Sequence, residues 1–283
     1  MKKIRIYTNQ NEISLHIKSL LEKRLKKTGE ILVTDQDDFQ YVITIGGDGT
    51  LLSAFHQYKD KVDQIQFIGI HTGHLGFYAD WQTYELDELV TGLVAVSKDD
   101  YVTYPLLKVH LMENDKTQHE FLALNECSIR STAGTIISQI HIKDQFFETL
   151  RSDGLCVATP TGSTGLNKSL GGAILHPRLD ALQLTEIAPL NNRVYRSLGS
   201  PVIISKKEWF TIEPTISGGD NCFTFMYDNQ QIPAIHIESL VLKIADQRIR
   251  FANIRHTHFW DRVESSFIGR KNREDLPLNQ YLK

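Results

Sequence analysis

Tyr41-Val42-Ile43-Thr44-Ile45-Gly46-Gly47-Asp48-Gly49-Thr50 is the stretch that decides the fold. A near-continuous apolar run enters a glycine pair, a lone carboxylate and a third glycine, and Thr50-Leu51-Leu52-Ser53-Ala54-Phe55 then suits a helix. Such a run fits a strand of a parallel sheet covered on both faces, with helices as the crossovers. In open sheets of this kind ligands gather beyond the carboxyl ends of the strands, where helix N-terminal amides favour anionic oxygens. Gly46, Gly47 and Gly49, with Thr50, therefore read as a phosphate loop whose backbone can come close to its ligand. Asp48 stands where a bare carboxylate would repel that ligand, so it caps the helix, holds a divalent cation or handles a proton.

The alternation of strand and helix continues on both sides. Ile4, Ile6 and Tyr7 begin a strand, and Ile13, Ile17, Leu20, Leu21 and Leu25 recur at helical spacing as the expected buried face of a helix. The run Lys23-Arg24-Leu25-Lys26-Lys27 reads as that helix's solvated face, and 67–70 reads as another buried strand. Residues 1–100 are thus a doubly wound α/β domain.

After Asp99-Asp100 the pattern turns to strands: 101–112, 121–130, 136–142, 146–150, 154–158, 202–205, 223–227, 235–244 and 248–254. Asp144-Gln145 is the expected hairpin turn, and 179–187 an expected short helix. Residues 101–254 form a β-rich domain on this reading. The segment 255–283 carries Phe259 and Trp260, which need burial, and is expected to pack back on the first domain.

A chain of 283 residues is long enough for two domains with real cores. Its 31 lysines and arginines against 34 acidic residues give a net charge of −3, which is no footprint for nucleic acid. Cys127, Cys156 and Cys222 are odd in number and widely spaced, unlike a disulfide framework or a zinc cluster, and read as small buried residues in a reduced cytosol. The start, Met1-Lys2-Lys3, has the charge of a signal peptide but no apolar region behind it, and no run reaches membrane-spanning length. The expectation is a cytoplasmic protein without a membrane or lipid anchor.

A second glycine-rich stretch, Thr159-Pro160-Thr161-Gly162-Ser163-Thr164-Gly165, leads into Leu166-Asn167-Lys168-Ser169. It nearly fits P-loop spacing but has Asn167 where a glycine is required, and it lies in the β-rich region. Its hydroxyls and glycines favour a loop that grips a sugar or phosphate without adding charge. His71 and His74 have helical metal-ligand spacing, but Gly73 and Gly76 oppose a helix and no third ligand joins them, so a loop role is expected.

In this order, Gly46-Gly47-Asp48-Gly49-Thr50, 71–77, Asn125-Glu126, Asp153-Gly154 and 159–169 followed by Gly171-Gly172 resemble the NAD kinase family over nearly the whole chain. Segments 71–81 and 191–196 look like its short Gram-positive bacterial members. The resemblance implies a Rossmann-like N-terminal domain and a β-rich, β-sandwich-like, NAD-binding C-terminal domain. It implies phosphorylation of the adenosine ribose 2'-hydroxyl of NAD by ATP, or polyphosphate, with Mg²⁺ or another divalent metal carried on the donor. Asp48 would activate that hydroxyl with Gly49 beside it, and Asn125 and Glu126 would bond ribose hydroxyls. Phe77 and Tyr78 would line the adenosine side, and Asp153 with Arg151 would fix the nicotinamide end. Thr161, Thr164, Gly165, Leu166, Asn167, Lys168, Ser169 and Ala188 would enclose the adenine and the other ribose. Such enzymes are homodimers or homotetramers with sites shared between subunits.

Two departures from the family pattern stand out. Gly165-Leu166 replaces an Ala-Tyr whose ring would stack on adenine, and Asp228-Asn229 replaces an Asp-Gly, in a turn where asparagine tolerates φ > 0. Gly-Gly-Asp-Gly alone is shared with lipid kinases and phosphofructokinases, so a lipid or sugar kinase is the rival enzyme. A non-catalytic NAD-binding sensor is the rival prompted by Leu166 and Asn229.

Overall fold

The computed structural model describes residues 1–73, 76–131, 134–216, 222–255 and 259–269. They form two compact units, one of Met1–Leu51, Phe67–Asp100 and the described residues from Ala252 onward, the other of Leu52–Gln66 and those of Tyr101–Phe251.

In the first unit, β1 (Lys2–Thr8), β2 (Ile31–Val33), β3 (Tyr41–Ile45), β4 (Gln66–His71) and β5 (Trp81–Gln82) lie in the order β2-β1-β3-β4-β5. β1 runs parallel to β2 and β3, and β5 runs parallel to β4. Every residue of β3 is buried, which is why its sequence shows no alternation. The unit contains the helices α1 (Glu12–Thr28) and α3 (Leu86–Ala95), and α2 (Asp48–Gln57) begins in it and continues from Leu52 in the second unit. Asn11 caps α1 by accepting the Ser14 N–H at 2.7 Å, and Gly29, at φ 68°, ends it in the left-handed conformation. Leu21 and Leu25 of α1 pack with Ile4, Ile43, Leu89 and Leu93 in one core. Because β2 lies on one side of β1 and β3 to β5 on the other, the sheet reverses order between β1 and β3, where open α/β sheets gather ligands. Thr8 pairs with Ile45, so both strands end level and Gly46 leaves the sheet at that point.

The second unit is a sandwich. One sheet holds β6 (Tyr101–Glu113), β7 (Gln118–Ala123), β9 (Ile136–Ile142), β10 (Gln145–Ser152), β14 (Trp209–Ile216) and β17 (Ile237–Ala252). The other holds β8 (Glu126–Ser131), β11 (Gly154–Ala158), β12 (Ala181–Ile187), β13 (Val202–Ser205), β15 (Phe223–Tyr227) and β16 (Gln230–Ile235), in the order β13-β12-β11-β8-β15-β16. Leu107, Val109, Ile140, Phe210 and Leu242 of the first meet Ile129, Leu155, Leu184 and Phe225 of the second in a single core. The two-domain plan, α/β followed by β-rich, is the one the sequence leads to. Among the described residues, no helix is long and apolar enough to cross a membrane.

Several local expectations are corrected. Ile13 is 59% exposed, and the buried stripe of α1 is Ser14, Ile17, Leu21 and Leu25, because burying the small Ser14 rotates Ile13 toward solvent. The expected strand 121–130 is two strands, β7 and β8, in different sheets, broken at Leu124-Asn125. Residues 235–244 and 248–254 belong largely to one long strand, β17. The segment 179–187 contains β12, not a helix; it lies between β11 and β13, and burial of Gln183 and Thr185 as well as Leu182 and Leu184 hides the period of two. The hairpin turn is Lys143-Asp144, since Ile142 pairs with Gln145. Cys127 and Cys156 are buried as expected, but Cys222 is only partly so. β14 has no counterpart among the expected strands.

The corrected helix face is directly measurable. Leu21→Ala should lower the unfolding free energy by about 2–5 kcal/mol, whereas Ile13→Ala should change it by less than about 0.5 kcal/mol, in urea titrations of both variants. An equal loss for the two would return Ile13 to the buried face.

Candidate active site

In the first unit, the chain turns out of β3 at Gly46, where an added Cβ would lie 2.1 Å from Thr50 Oγ1. Only glycine lets the strand end close on the start of α2. Gly47 and Gly49 are exposed and flank Asp48, the first residue of that helix. The carboxylate does not cap its own helix. Its Oδ2 accepts the Phe77 N–H at 2.8 Å and its Oδ1 accepts the Tyr78 N–H at 3.2 Å, so the loop after β4 fixes its orientation. A Cβ on Gly76 would sit 2.2 Å from Asp48 Oδ1, so glycine is what permits the approach. Phe77 and Tyr78 thus serve Asp48 through backbone amides, with the Tyr78 side chain buried and Phe77 half-buried. Each oxygen keeps lone-pair capacity for a proton or a hydroxyl.

His71 ends β4, with Nδ1 3.0 Å from the Gly73 carbonyl, a loop contact. His74 lies outside the described residues. Among those described, no group of three or more His, Cys, Asp or Glu side chains could hold a metal ion.

In the second unit, Asn125 and Glu126 mark the break between β7 and β8. Their backbone is gathered by Asp228, whose side chain is fully buried. Asp228 Oδ2 accepts the Leu124 N–H at 2.9 Å, and Oδ1 accepts those of Asn125 and Glu126 at 2.7 and 3.3 Å. His56 Nε2 stands 2.9 Å from the same Oδ2. The turn from β15 to β16 is Asp228-Asn229, and its left-handed residue is Asp228 at φ 49°, not Asn229 as the sequence pattern led us to expect. Asp tolerates that conformation, and here it aims the carboxylate at the three amides. Asn229 instead bonds Ser53 Oγ at 2.9 Å.

The 159–169 loop closes on the same break. The Leu124 carbonyl accepts the hydroxyls of Thr159 and Thr161 at 2.6 and 2.8 Å, and the Asn125 carbonyl accepts the Thr159 N–H at 2.8 Å. A Cβ on Gly162 would come 2.0 Å from the Asn125 oxygen. Ser163 Oγ donates to the Pro160 carbonyl at 2.6 Å and Thr164 Oγ1 to that of Thr161 at 3.2 Å. Of the hydroxyls read from sequence as ligand grips, those of Thr161, Ser163 and Thr164 are therefore engaged within the protein and shape the loop, while Ser169 is exposed. Asn167 is also turned inward, fully buried and bonded to Thr185 Oγ1. Gly165, Lys168 and Ser169 are exposed, and Leu166 is half-buried at the start of the one-turn helix α4 (Leu166–Ser169).

Arg151, Asp153 and Ala188 form a separate group. The Asp153 N–H bonds the Ile187 carbonyl at 3.0 Å, the Leu190 N–H bonds the Arg151 carbonyl at 2.8 Å, and Ala188 takes φ 46° between them. The Arg151 guanidinium lies 4.6 Å from the Tyr195 ring centre. Asp153 and Thr159 flank opposite ends of β11, roughly 20 Å apart at the rise of an extended strand. Residue types alone did not single out Asp228, His56 or Arg262. The available signal was ionisable residues in otherwise apolar or aromatic surroundings, such as Arg262 in Phe259-Trp260-Asp261-Arg262-Val263.

Burial, and then the charge of Asp228, pushes the Glu126 carboxyl up to about 8, and its Oε2 is buried without a hydrogen-bond partner. The folded protein therefore keeps a proton there that the unfolded chain releases near 4.5. Wild-type stability should fall as pH rises between about 4.5 and about 8 and level off above, because the folded state binds more protons across that window. Glu126→Gln should remove this component, so the variant's melting temperature should gain on wild type through the window. Parallel melting curves across the window are the check, and a constant gap would contradict the protonated carboxyl.

Comparison with known proteins identifies the family. Residues 2–100 match the ATP-NAD kinase N-terminal domain and residues 124–253 the ATP-NAD kinase C-terminal domain. An NAD kinase of Levilactobacillus brevis is 49% identical over 271 residues, covering 95% of this chain and 99% of its own, and one of Enterococcus faecalis is 46% identical over 268 residues, covering 94% and 99%. The fold matches yeast NADH kinase complexed with NADH, at TM-score 0.78 and 16% identity over 99% of this chain and 90% of the other. It also matches an Archaeoglobus fulgidus NAD kinase in complex with ATP, at TM-score 0.71 and 22% identity over 94% and 99%. With both domain models matched in order and relatives this similar along nearly its whole length, the chain belongs to the NAD kinase family and is a kinase of that kind.

Proposed function

We propose that the chain transfers the terminal phosphoryl group of ATP to the 2'-hydroxyl of the adenosine ribose of NAD, with Asp48 as the proton acceptor. The observation that carries this reading is the Asp48 carboxylate, fixed at the switch point of an open sheet by the Phe77 and Tyr78 amides. A carboxylate is a weak base for a sugar hydroxyl, but a loose phosphoryl-transfer transition state requires little early deprotonation. Asp48 orients the hydroxyl. As the new O–P bond forms and the bond to the leaving ADP oxygen breaks, the hydroxyl proton passes to its carboxylate.

Asn125 and Glu126 hold ribose hydroxyls on this reading. A protonated Glu126 can donate to a hydroxyl oxygen as well as accept, which suits a partner that is itself both donor and acceptor. Gly46, Gly47, Gly49 and Thr50 face the phosphates, and Phe77 and Tyr78 line the adenosine side. Gly165, Leu166, Lys168 and Ser169 surround the adenine and second ribose, while Thr161, Thr164 and Asn167 keep the loop in shape. Arg151, Asp153 and Ala188 take the nicotinamide end. Their separation from the Asn125 group by the length of β11 supports a homo-oligomer in which one protomer's group serves its neighbour's dinucleotide.

The donor set fits Mg²⁺ carried on the donor phosphates, because Mg²⁺ needs only one or two carboxylates besides phosphate oxygens and Asp48 retains lone pairs for that purpose. When bound, it would neutralise the charge that develops on the transferred group. A cytoplasmic location, with its supply of NAD and ATP, completes the proposal.

The purified chain should form NADP from NAD, ATP and Mg²⁺ in a dehydrogenase-coupled assay. Asp48→Asn should lower kcat by roughly 100-fold or more with the KM for NAD little changed, since the lost interaction belongs to the transition state. Near-wild-type turnover by Asp48→Asn would remove Asp48 from the chemistry.

A further inference from the structure

Arg262 is 4% exposed, although it lies in a short C-terminal helix, Phe259–Val263, where solvent would be the natural place for a guanidinium. A buried cation must be served by acceptors. Its Nη1 donates to the Phe77 carbonyl and its Nη2 pairs with Asp80. Burial lowers its pKa to about 10, against the nearby Asp48 charge, so it remains a cation at neutral pH.

The carbonyl it grips is half of a particular peptide group. Phe77 C=O and Tyr78 N–H share one planar trans unit, and the N–H on its other edge is the one that Asp48 Oδ1 accepts at 3.2 Å. Fixing the carbonyl on one edge fixes the direction of the N–H on the other. A cation on the carbonyl also polarises the unit toward a stronger N–H donor. Other contacts hold the loop in the same place. The Phe77 ring stacks on Phe267, 5.6 Å between centres, and lies 6.3 Å from Phe259. On the sheet side, Gly69 of β4 leaves room for the loop backbone, since a Cβ there would be 2.8 Å from the Tyr78 carbonyl oxygen.

We propose that Arg262 is a positioning residue for the reaction: through the Phe77–Tyr78 peptide group it sets the orientation of the Asp48 carboxylate, so that the segment Phe259–Ile268 is part of the catalytic apparatus. The inference rests on Asp48 being the proton acceptor. Arg262 itself touches no reacting atom. Its loss frees the peptide group to rotate, and Asp48 then keeps one amide partner, that of Phe77, in place of two.

The test is steady-state kinetics of Arg262→Gln and Arg262→Lys beside Asp48→Asn, with melting curves for each. Arg262→Gln should lose about 100-fold in kcat, the cost of a small misplacement of a reacting group, while KM for NAD and for ATP stay within about twofold. Arg262→Lys, whose ammonium serves the two acceptors without the planar fork, should lose about tenfold. If Arg262→Gln does not fold, the kcat loss at unchanged KM is required of Arg262→Lys. A folded variant that keeps kcat, or loses only KM, overturns the proposal, because a residue that merely anchors the C-terminal segment has no reason to act on turnover alone. Asp48→Asn separates the two layers. If it is inactive while Arg262→Gln is fully active, only the positioning role fails, and if it is active, the reading of Asp48 fails and the proposal with it.

Discussion

Carboxylates that accept consecutive backbone N–H groups organise the candidate residues within each of the two units. Asp48 takes the amides of Phe77 and Tyr78, and Asp228 takes those of Leu124, Asn125 and Glu126. A strand or loop that ends abruptly exposes donors which must find partners, and an anionic oxygen is a strong one. Each carboxylate therefore does two things. It closes a break in secondary structure, and it fixes the direction in which the neighbouring chain presents its functional groups.

The two carboxylates differ in what surrounds them. The Asp228 side chain is wholly buried and meets His56 as well as the amides, so its lone pairs are spent inside the protein and it belongs to the scaffold. Its charge is felt by Glu126, whose carboxyl keeps its proton into neutral pH through burial first and Asp228 second. Asp48 is partly exposed, with capacity left for an outside partner. The scaffold carboxylate and the one proposed to react are told apart by solvent access and remaining lone pairs, not by residue type.

Parts of this were legible in the sequence because they rest on local rules. The near-continuous apolar run 41–45 marked a covered parallel strand, and the glycines after it marked the point where the chain leaves the sheet. The sequence placed the hairpin turn at Asp144-Gln145, one residue later than the Lys143-Asp144 turn of the structure, because turn residues narrow a hairpin's position without fixing its register. The strand β12 was missed for a physical reason: a strand buried on both faces loses its period of two, and Gln183 and Thr185 there are buried polar residues bonded to neighbours distant in sequence. The hydroxyls of Thr161, Ser163 and Thr164 looked like ligand groups, since residue type alone does not reveal which carbonyl lies within reach.

By itself the sequence determined the two-domain plan, the strand that ends at Gly46, the position of Asp48 in its glycine setting and the family to which the ordered motifs belong. These follow from hydrophobic period, chain length and glycine placement, all of which act over a few neighbouring residues. Only the tertiary structure decided that Asp228 gathers the Asn125-Glu126 backbone from more than 100 positions away, and that Arg262, 185 residues after Phe77, grips the peptide group facing Asp48. Such contacts join segments whose encounter depends on the packing of whole elements, and no local pattern encodes which buried charge will meet which carbonyl.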